Sequence, residues 1–329
     1  MIDKNHQKKP ATDGLDAEIR EFMDIMIKDA AGHPPLDELP LPEARNLAEK
    51  LRTPWRKGGP EMTRALDCHA PTRHGPIRLR VHYPHEVSNA PALVYLHGGG
   101  WTLFSLETHD RLMREYAHRT GITVIGVDYS LSPESKYPTA LHQICDVLAW
   151  LPDQANSLGI DIRKLAIGGD SAGANLALSS CLMLRDNPKG PLIRGMVLNY
   201  GAFDYEISRQ AEQAYGQQNH MLGADEMRQY WRNYIRDIND LKDPLVCPLH
   251  ADLHDLPPAF LVIPECDVLT EQNLRMAERL RAAGVDAIDR VYPGTTHSFL
   301  EAISIAPVSD RALYDTANWL KQALKQDMA

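Results

Sequence analysis

Residues Leu165-Ala166-Ile167-Gly168-Gly169-Asp170-Ser171-Ala172-Gly173-Ala174-Asn175-Leu176-Ala177-Leu178 decide the reading of this chain. A short apolar run passes, through Gly169-Asp170-Ser171-Ala172-Gly173, into an Ala/Leu-rich segment with helical spacing, so a buried strand turns directly into a helix at Ser171. The turn is tight enough that the residues two before and two after the serine nearly touch, and glycine at 169 and 173 removes the β-carbons that would collide. Such a turn strains the backbone and presents Ser171 Oγ at the carboxyl edge of a sheet, beside helix N–H groups that favour a developing negative charge. Gly-x-Ser-x-Gly alone also occurs in ordinary loops. The strand before it and the helix after it make this one a nucleophile elbow.

Outward from the elbow the chain alternates. Strands are expected at 92–96, 122–127, 165–168 and 195–200, with helices at 109–120, 140–157 and 172–184 between them; strands at 259–263 and 287–292 and helices at 272–283 and 311–325 continue the pattern. This rhythm predicts a mainly parallel sheet covered by helices on both faces. Upstream, 63–69 and 77–83 read as a hairpin at the sheet edge, with Thr72-Arg73-His74-Gly75-Pro76 as its turn. Residues 201–243 break the rhythm with a polar, Gln- and Tyr-rich loop and then a helix at 224–236. Leu15, Ile19, Phe22, Met23, Met26 and Ile27 recur at helical spacing, and a second helix follows at 42–51. We therefore expect residues 1–55 to form an N-terminal helical cap segment, and 56–329 a catalytic domain with a cap insertion at about 201–243. The alternative is a helical pair packed on the flank of the core.

Composition excludes several classes. The 329 residues are 43% hydrophobic and 24% charged, enough apolar material for a large core. A net charge of −9, with no cluster of Lys and Arg, argues against nucleic acid or an anionic membrane as partner. The five cysteines, Cys68, Cys145, Cys181, Cys247 and Cys266, show no C-x-x-C spacing and are odd in number, which fits reduced thiols in a cytoplasm. Basic residues at the start are followed by no apolar run, and no stretch approaches ~18 apolar residues. We expect a cytoplasmic protein without leader or membrane span; a homodimer is left open.

A serine hydroxyl needs a base, the base an orienting carboxylate, and the tetrahedral oxyanion needs donors. Leu96-His97-Gly98-Gly99-Gly100-Trp101 ends a strand, and its successive glycines let the backbone aim N–H groups at one point. Gly98 and Gly99, with Ala172 after the nucleophile, are the expected oxyanion donors. His297, just past the strand at 287–292, is the expected base, and Asp267, past the strand at 259–263, the expected acid; both fall on the same sheet edge as Ser171. Asp204 is the second candidate for the acid. His250-Ala251-Asp252-Leu253-His254-Asp255 has the His spacing of a helical metal site, but Pro248, Pro257 and Pro258 oppose a helix. Gly168-Gly169 and Gly173 lack the Gly-Lys-Ser/Thr ending of a phosphate loop. We expect neither metal nor cofactor. Trp101, Phe104, Phe203, Tyr205, Tyr215 and Met221 are expected to crowd the substrate pocket and so to favour short acyl chains.

These residues together resemble the hormone-sensitive-lipase-like family of α/β hydrolases, in its bacterial esterase branch with a His-Gly-Gly-Gly loop. Asp128-Tyr129-Ser130-Leu131-Ser132-Pro133-Glu134 is similar to the family's Asp-Tyr-Arg-Leu-Ala-Pro-Glu segment, and Leu256-Pro257-Pro258-Ala259 precedes the acid's strand as it does there. Ser130 departs from the family's arginine, Val268 from the proline after the acid, and Ser298 from the glycine after the histidine. The resemblance implies an α/β-hydrolase fold, a Ser171-Asp267-His297 triad, a helical cap, and a serine carboxylesterase acting on small acyl esters through an acyl-enzyme. An amidase, lactonase or acyltransferase would use the same groups, and a non-catalytic receptor on this fold would lack the histidine retained here.

Overall fold

The computed structural model describes residues 14–86, 88–185, 191–216 and 221–325. The polar N-terminal tail and part of the 201–243 excursion, residues 217–220, lie outside them. Eight strands form one sheet: β1 (Arg64–Ala70), β2 (Ile77–Tyr83), β3 (Ala90–Leu96), β4 (Thr123–Val127), β5 (Ile160–Asp170), β6 (Ile193–Asn199), β7 (Ala259–Pro264) and β8 (Ala287–Tyr292). Their order is β1-β2-β4-β3-β5-β6-β7-β8. β1 and β2 form an antiparallel hairpin at one edge, β2 pairs antiparallel with β4, and β3 through β8 are parallel.

Alternation along the central strands sorts side chains onto two helical layers. On β3, Val94 and Leu96 pack with α4 (Thr139–Leu158), α5 (Ala172–Arg185) and α8 (Thr270–Ala282). Leu93 and Tyr95 point the other way, into α1 (Ala17–Ala30), α3 (Asp110–Thr120) and α9 (Pro307–Ala323). Each face therefore buries a continuous apolar layer, and the parallel strands between them are buried on both sides. α1 starts where the Asp16 carboxylate accepts from the N–H groups of Glu18 and Ile19; α3 ends on Gly121 in the left-handed conformation, φ 73°.

The order β4-β3-β5 contains the point where the winding reverses: β3 leads outward to β4, and the chain then crosses back to β5. In open α/β sheets the crevice outside the carboxyl ends of two such strands is where ligands bind. Here it lies between the loop after β3, which holds the three glycines, and the elbow after β5.

Two elements differ most from the sequence reading. β5 starts five residues before the expected 165, at Ile160, because an irregularity in its pairing with β3 lets both Ala90 and Ala92 find partners. Within the polar stretch read as loop, Arg209–Tyr215 forms a short helix, α6, capped by the Ser208 hydroxyl accepting from the Ala211 N–H. Its single buried residue, Ala211, gives too narrow an apolar stripe for periodicity to register. α2 (Leu41–Arg52) and α7 (Ala224–Tyr234) complete the helices. No helix among the described residues is long and apolar enough to cross a membrane.

Candidate active site

β5 runs to Asp170, and Ser171 then takes φ 54°, a left-handed backbone that a residue with a β-carbon adopts only under strain. A β-carbon on Gly169 would stand 2.6 Å from the Gly173 carbonyl carbon, and one on Gly173 would overlap the Leu96 carbonyl at the end of β3. Glycine at 173 thus serves the approach of the neighbouring strand as much as the closure of the turn. The Ser171 N–H donates to the Asn199 carbonyl at 2.9 Å, tying the elbow to β6.

His297 and Asp267 reach the same edge from the ends of β8 and β7. His297 Nε2 lies 3.0 Å from Ser171 Oγ, and its Nδ1 lies 2.6 Å from Asp267 Oδ2. Because an ionised carboxylate only accepts, Nδ1 carries the proton and Nε2 is left to accept from the serine hydroxyl. The Leu269 N–H donates to Asp267 Oδ1 at 3.1 Å and fixes the carboxylate. All three side chains are buried. Ser298, where the resemblance implies a glycine, sits at φ 59°. The serine therefore bears the left-handed strain that glycine would relieve.

Gly99 and Gly100 have φ 110° and 59°. Their lack of side chains is used: a β-carbon on Gly98 would overlap the Asp170 carboxylate, one on Gly99 the Leu103 carbonyl, and one on Gly100 the Tyr230 ring of α7. The N–H groups of Gly98, Gly99 and Ala172 have no backbone partner among the described residues.

A cavity of about 190 Å³ opens on Ser171 and His297. Its walls come from the glycine loop (Gly99, Leu103, Phe104), from α1 and α2 (Met26, Ala48, Arg52) and from α7 and its approach (Met221, Met227, Tyr230). Of the six expected pocket residues, only Phe104 and Met221 line it. Trp101 is fully buried, stacked on Tyr234 at 4.3 Å and against Trp231 at 4.5 Å, so it fastens the glycine loop to α7. Phe203 folds back over Gly201 in the core. Tyr205 meets Trp231 edge-on at 6.3 Å, and the Tyr215 hydroxyl donates to the Cys266 sulfur. None of these four lines the cavity; they serve packing.

The sequence reading missed five polar residues in the cavity wall: Asp170, His109, Arg52, Glu226 and Glu301. Asp170 stands at a variable position of Gly-x-Ser-x-Gly, although a carboxylate in an otherwise apolar strand end is a visible anomaly. Buried Arg52 pairs with the half-buried Glu301, 3.1 Å apart, and the Arg52 guanidinium sits 5.0 Å over the Phe104 ring. The two candidate metal histidines diverge, His250 to Asp204 at 3.2 Å and His254 to Asp252 at 2.6 Å. Among the described residues no group of three or more His, Cys, Asp or Glu is placed to hold a metal ion.

Comparison with known proteins agrees with this architecture. A family model described as the alpha/beta hydrolase fold matches residues 93–301. The acetyl esterase of Salmonella choleraesuis (strain SC-B67) is 36% identical over 274 residues, 82% of this chain and 84% of that protein. Among solved structures, a hyperthermophilic esterase from the archaeon Pyrobaculum calidifontis superposes with a TM-score of 0.86 at 33% identity, covering 94% of this chain and 98% of the other. An ester hydrolase from the metagenome of Lake Arreo, complexed with a bipyridine phosphonate derivative, gives 0.89 at 29% identity over 95% and 100%. With the family model spanning more than half its length and a curated relative 36% identical over 82% of it, the chain belongs to the α/β-hydrolase fold family, in its hormone-sensitive-lipase-like esterase branch, and is a carboxylic ester hydrolase.

Proposed function

We propose that the chain hydrolyses small, short-chain acyl esters through an acyl-enzyme on Ser171. The observation that carries this reading is the hydrogen-bonded row Ser171 Oγ, His297, Asp267 at 3.0 and 2.6 Å, opening on a mainly apolar cavity. His297 Nε2 takes the hydroxyl proton as Oγ attacks the ester carbonyl, and Asp267 stabilises the imidazolium that forms. The carbonyl oxygen becomes an oxyanion facing the N–H groups of Gly98, Gly99 and Ala172. Collapse expels the alcohol, which receives the proton from His297. A water, deprotonated by the same nitrogen, then cleaves the acyl-enzyme.

The cavity supports a small substrate: its volume of about 190 Å³ is below the ~300–1,000 Å³ of pockets that take drug-sized ligands. That related proteins are named acetyl esterases points the same way. Residues 1–55 and about 201–243 serve as the cap, which supplies α1, α2 and α7 to the wall and keeps water from the acyl-enzyme. The test is mass spectrometry after an organophosphate, with an adduct expected on Ser171, and kinetics on p-nitrophenyl esters, where Ser171→Ala should lower kcat by roughly 10⁴ to 10⁶. An adduct on another residue would overturn the assignment.

A further inference from the structure

Asp170, one residue before the proposed nucleophile, is a buried carboxylate whose Oδ2 lies against Gly98 Cα, so closely that a β-carbon there would overlap it. Left alone, this negative charge would oppose an oxyanion forming at the Gly98 and Gly99 N–H groups. Two donors meet it. The Tyr95 hydroxyl donates to Oδ1 at 3.0 Å, and His109 Nε2 lies 3.2 Å from Oδ2. The other nitrogen of His109, Nδ1, lies 2.9 Å from Thr108 Oγ1. That hydroxyl has the Ser105 carbonyl at 2.8 Å as an acceptor for its own proton, which leaves it able to accept from His109. With Asp170 Oδ2 on one ring nitrogen and this oxygen on the other, the surroundings of His109 suit an imidazolium, which donates at both.

We propose that His109 is a positioning residue, held as an imidazolium, whose charge neutralises Asp170 behind the glycine loop so that the oxyanion donors act without an opposing negative charge. This rests on the reading of Ser171 as the acylated serine. Burial pulls the His109 pKa down, but the Asp170 charge and hydrogen bond, with Glu301 behind them, outweigh it and raise it overall. Asp170 is lowered in return, burial being outweighed by His109 and Tyr95. The other charged groups facing His109 are Arg52 and Glu49 of α2 and His97 of the glycine loop. His97 is held neutral by burial and by the His109 charge, its pKa lowered to about 3. A unit charge several ångströms from the oxyanion at an effective dielectric near 20 corresponds to roughly 10- to 100-fold in rate. As pH rises through the raised pKa, the imidazolium loses its proton and kcat should fall, giving an alkaline limb that His297, which must be neutral, does not produce.

The experiment compares wild type, His109→Gln and His109→Gln/Asp170→Asn on p-nitrophenyl acetate from pH 6 to 9.5, with fluorophosphonate labelling of Ser171 in each. His109→Gln keeps a donor but no charge, and should lose about 10- to 100-fold in kcat, with KM within about threefold and no alkaline limb. Removing the carboxylate as well should recover at least about fivefold over the single variant, which repair of a merely structural defect would not do. An unchanged kcat and alkaline limb in His109→Gln, or a double variant no more active than the single, overturns the proposal. Absence of labelling at Ser171 in wild type would instead end the acyl-enzyme reading itself.

Discussion

Asp204 is paired with His250, its Oδ2 3.2 Å from Nε2, and so faces a histidine other than the one beside Ser171. His297 has Asp267 at 2.6 Å instead. Asp267→Asn should preserve the fold and lower kcat on the order of 10⁴ by putting the imidazole in the wrong tautomer. Asp204→Asn should leave kcat within about threefold, since its partner is on the surface. Steady-state kinetics on both variants decides; a collapse confined to Asp204→Asn would reverse the roles.

Arg45 of α2 forks onto Glu134 at 2.9 and 2.7 Å and also donates to the carbonyls of Thr102 at 2.9 Å and Ser132 at 2.9 Å. Thr102 in turn donates through its N–H to the Gly99 carbonyl and through its hydroxyl to that of Gly100, both at 3.0 Å. One guanidinium thus joins α2 to the glycine loop. Arg45→Ala should lower stability by about 1–3 kcal/mol and kcat/KM by about tenfold. Glu134→Gln should change either little, because Glu134 is exposed and such ion pairs contribute ~0–1 kcal/mol. Equal effects of the two substitutions would place the clamp in the ion pair and not in the carbonyl bonds.

Acyl preference should peak between acetyl and hexanoyl esters and then fall, each accommodated methylene being worth ~1–3 kcal/mol. Phe104→Ala and Met221→Ala, which remove cavity wall, should move the peak to longer chains. Trp101→Ala should not move it, but should destabilise the fold by about 3–5 kcal/mol, as for a buried aromatic. A peak shift in Trp101→Ala with none in Phe104→Ala would contradict the packing seen here. The measurement is kcat/KM across p-nitrophenyl esters, together with thermal melts.

His97 governs part of the acid stability. Its Nδ1–H donates to the Gly98 carbonyl at 2.7 Å, its Nε2 is buried without a hydrogen-bond partner among the described residues, and its pKa is lowered to about 3 by burial first and the neighbouring His109 second. Between about pH 6.5 and 3 the unfolded chain binds a proton at this residue that the folded chain refuses, so stability falls as pH falls, by about 1.4 kcal/mol per unit. Glu107 adds to the loss at the acid end: hydrogen bonds from Arg78 hold its carboxyl down at about 2, a contribution present above its unfolded pKa and lost on acidification. Urea unfolding at pH 7, 6, 5 and 4 should show a slope shallower by about one proton in His97→Gln than in wild type. Parallel slopes would count against a neutral His97.

What the sequence determined by itself was local or periodic. The elbow was legible because a serine flanked at two residues on each side by glycine, between a strand and a helix, has few backbone solutions. The sheet and its two helical layers were legible because apolar runs and helical stripes alternate, and such alternation packs in few ways. The positions of Asp267 and His297 just after strands suffice to put both on the serine's edge. Tertiary structure alone decided the rest. Trp101 and Phe104 stand three residues apart in one loop, and only the positive φ values at 57° and 71°, set by contacts with α7 and Arg52, send one into the core and the other into the cavity. α6 buries too little for periodicity to reveal it. The pairing of Asp170 with His109, and of Arg52 with Glu301, joins residues 61 positions apart in the one case and from opposite ends of the chain in the other. Nothing local encodes such pairs, because a buried charge finds its partner through packing, and the cost of leaving it unpaired is felt only once water has been excluded.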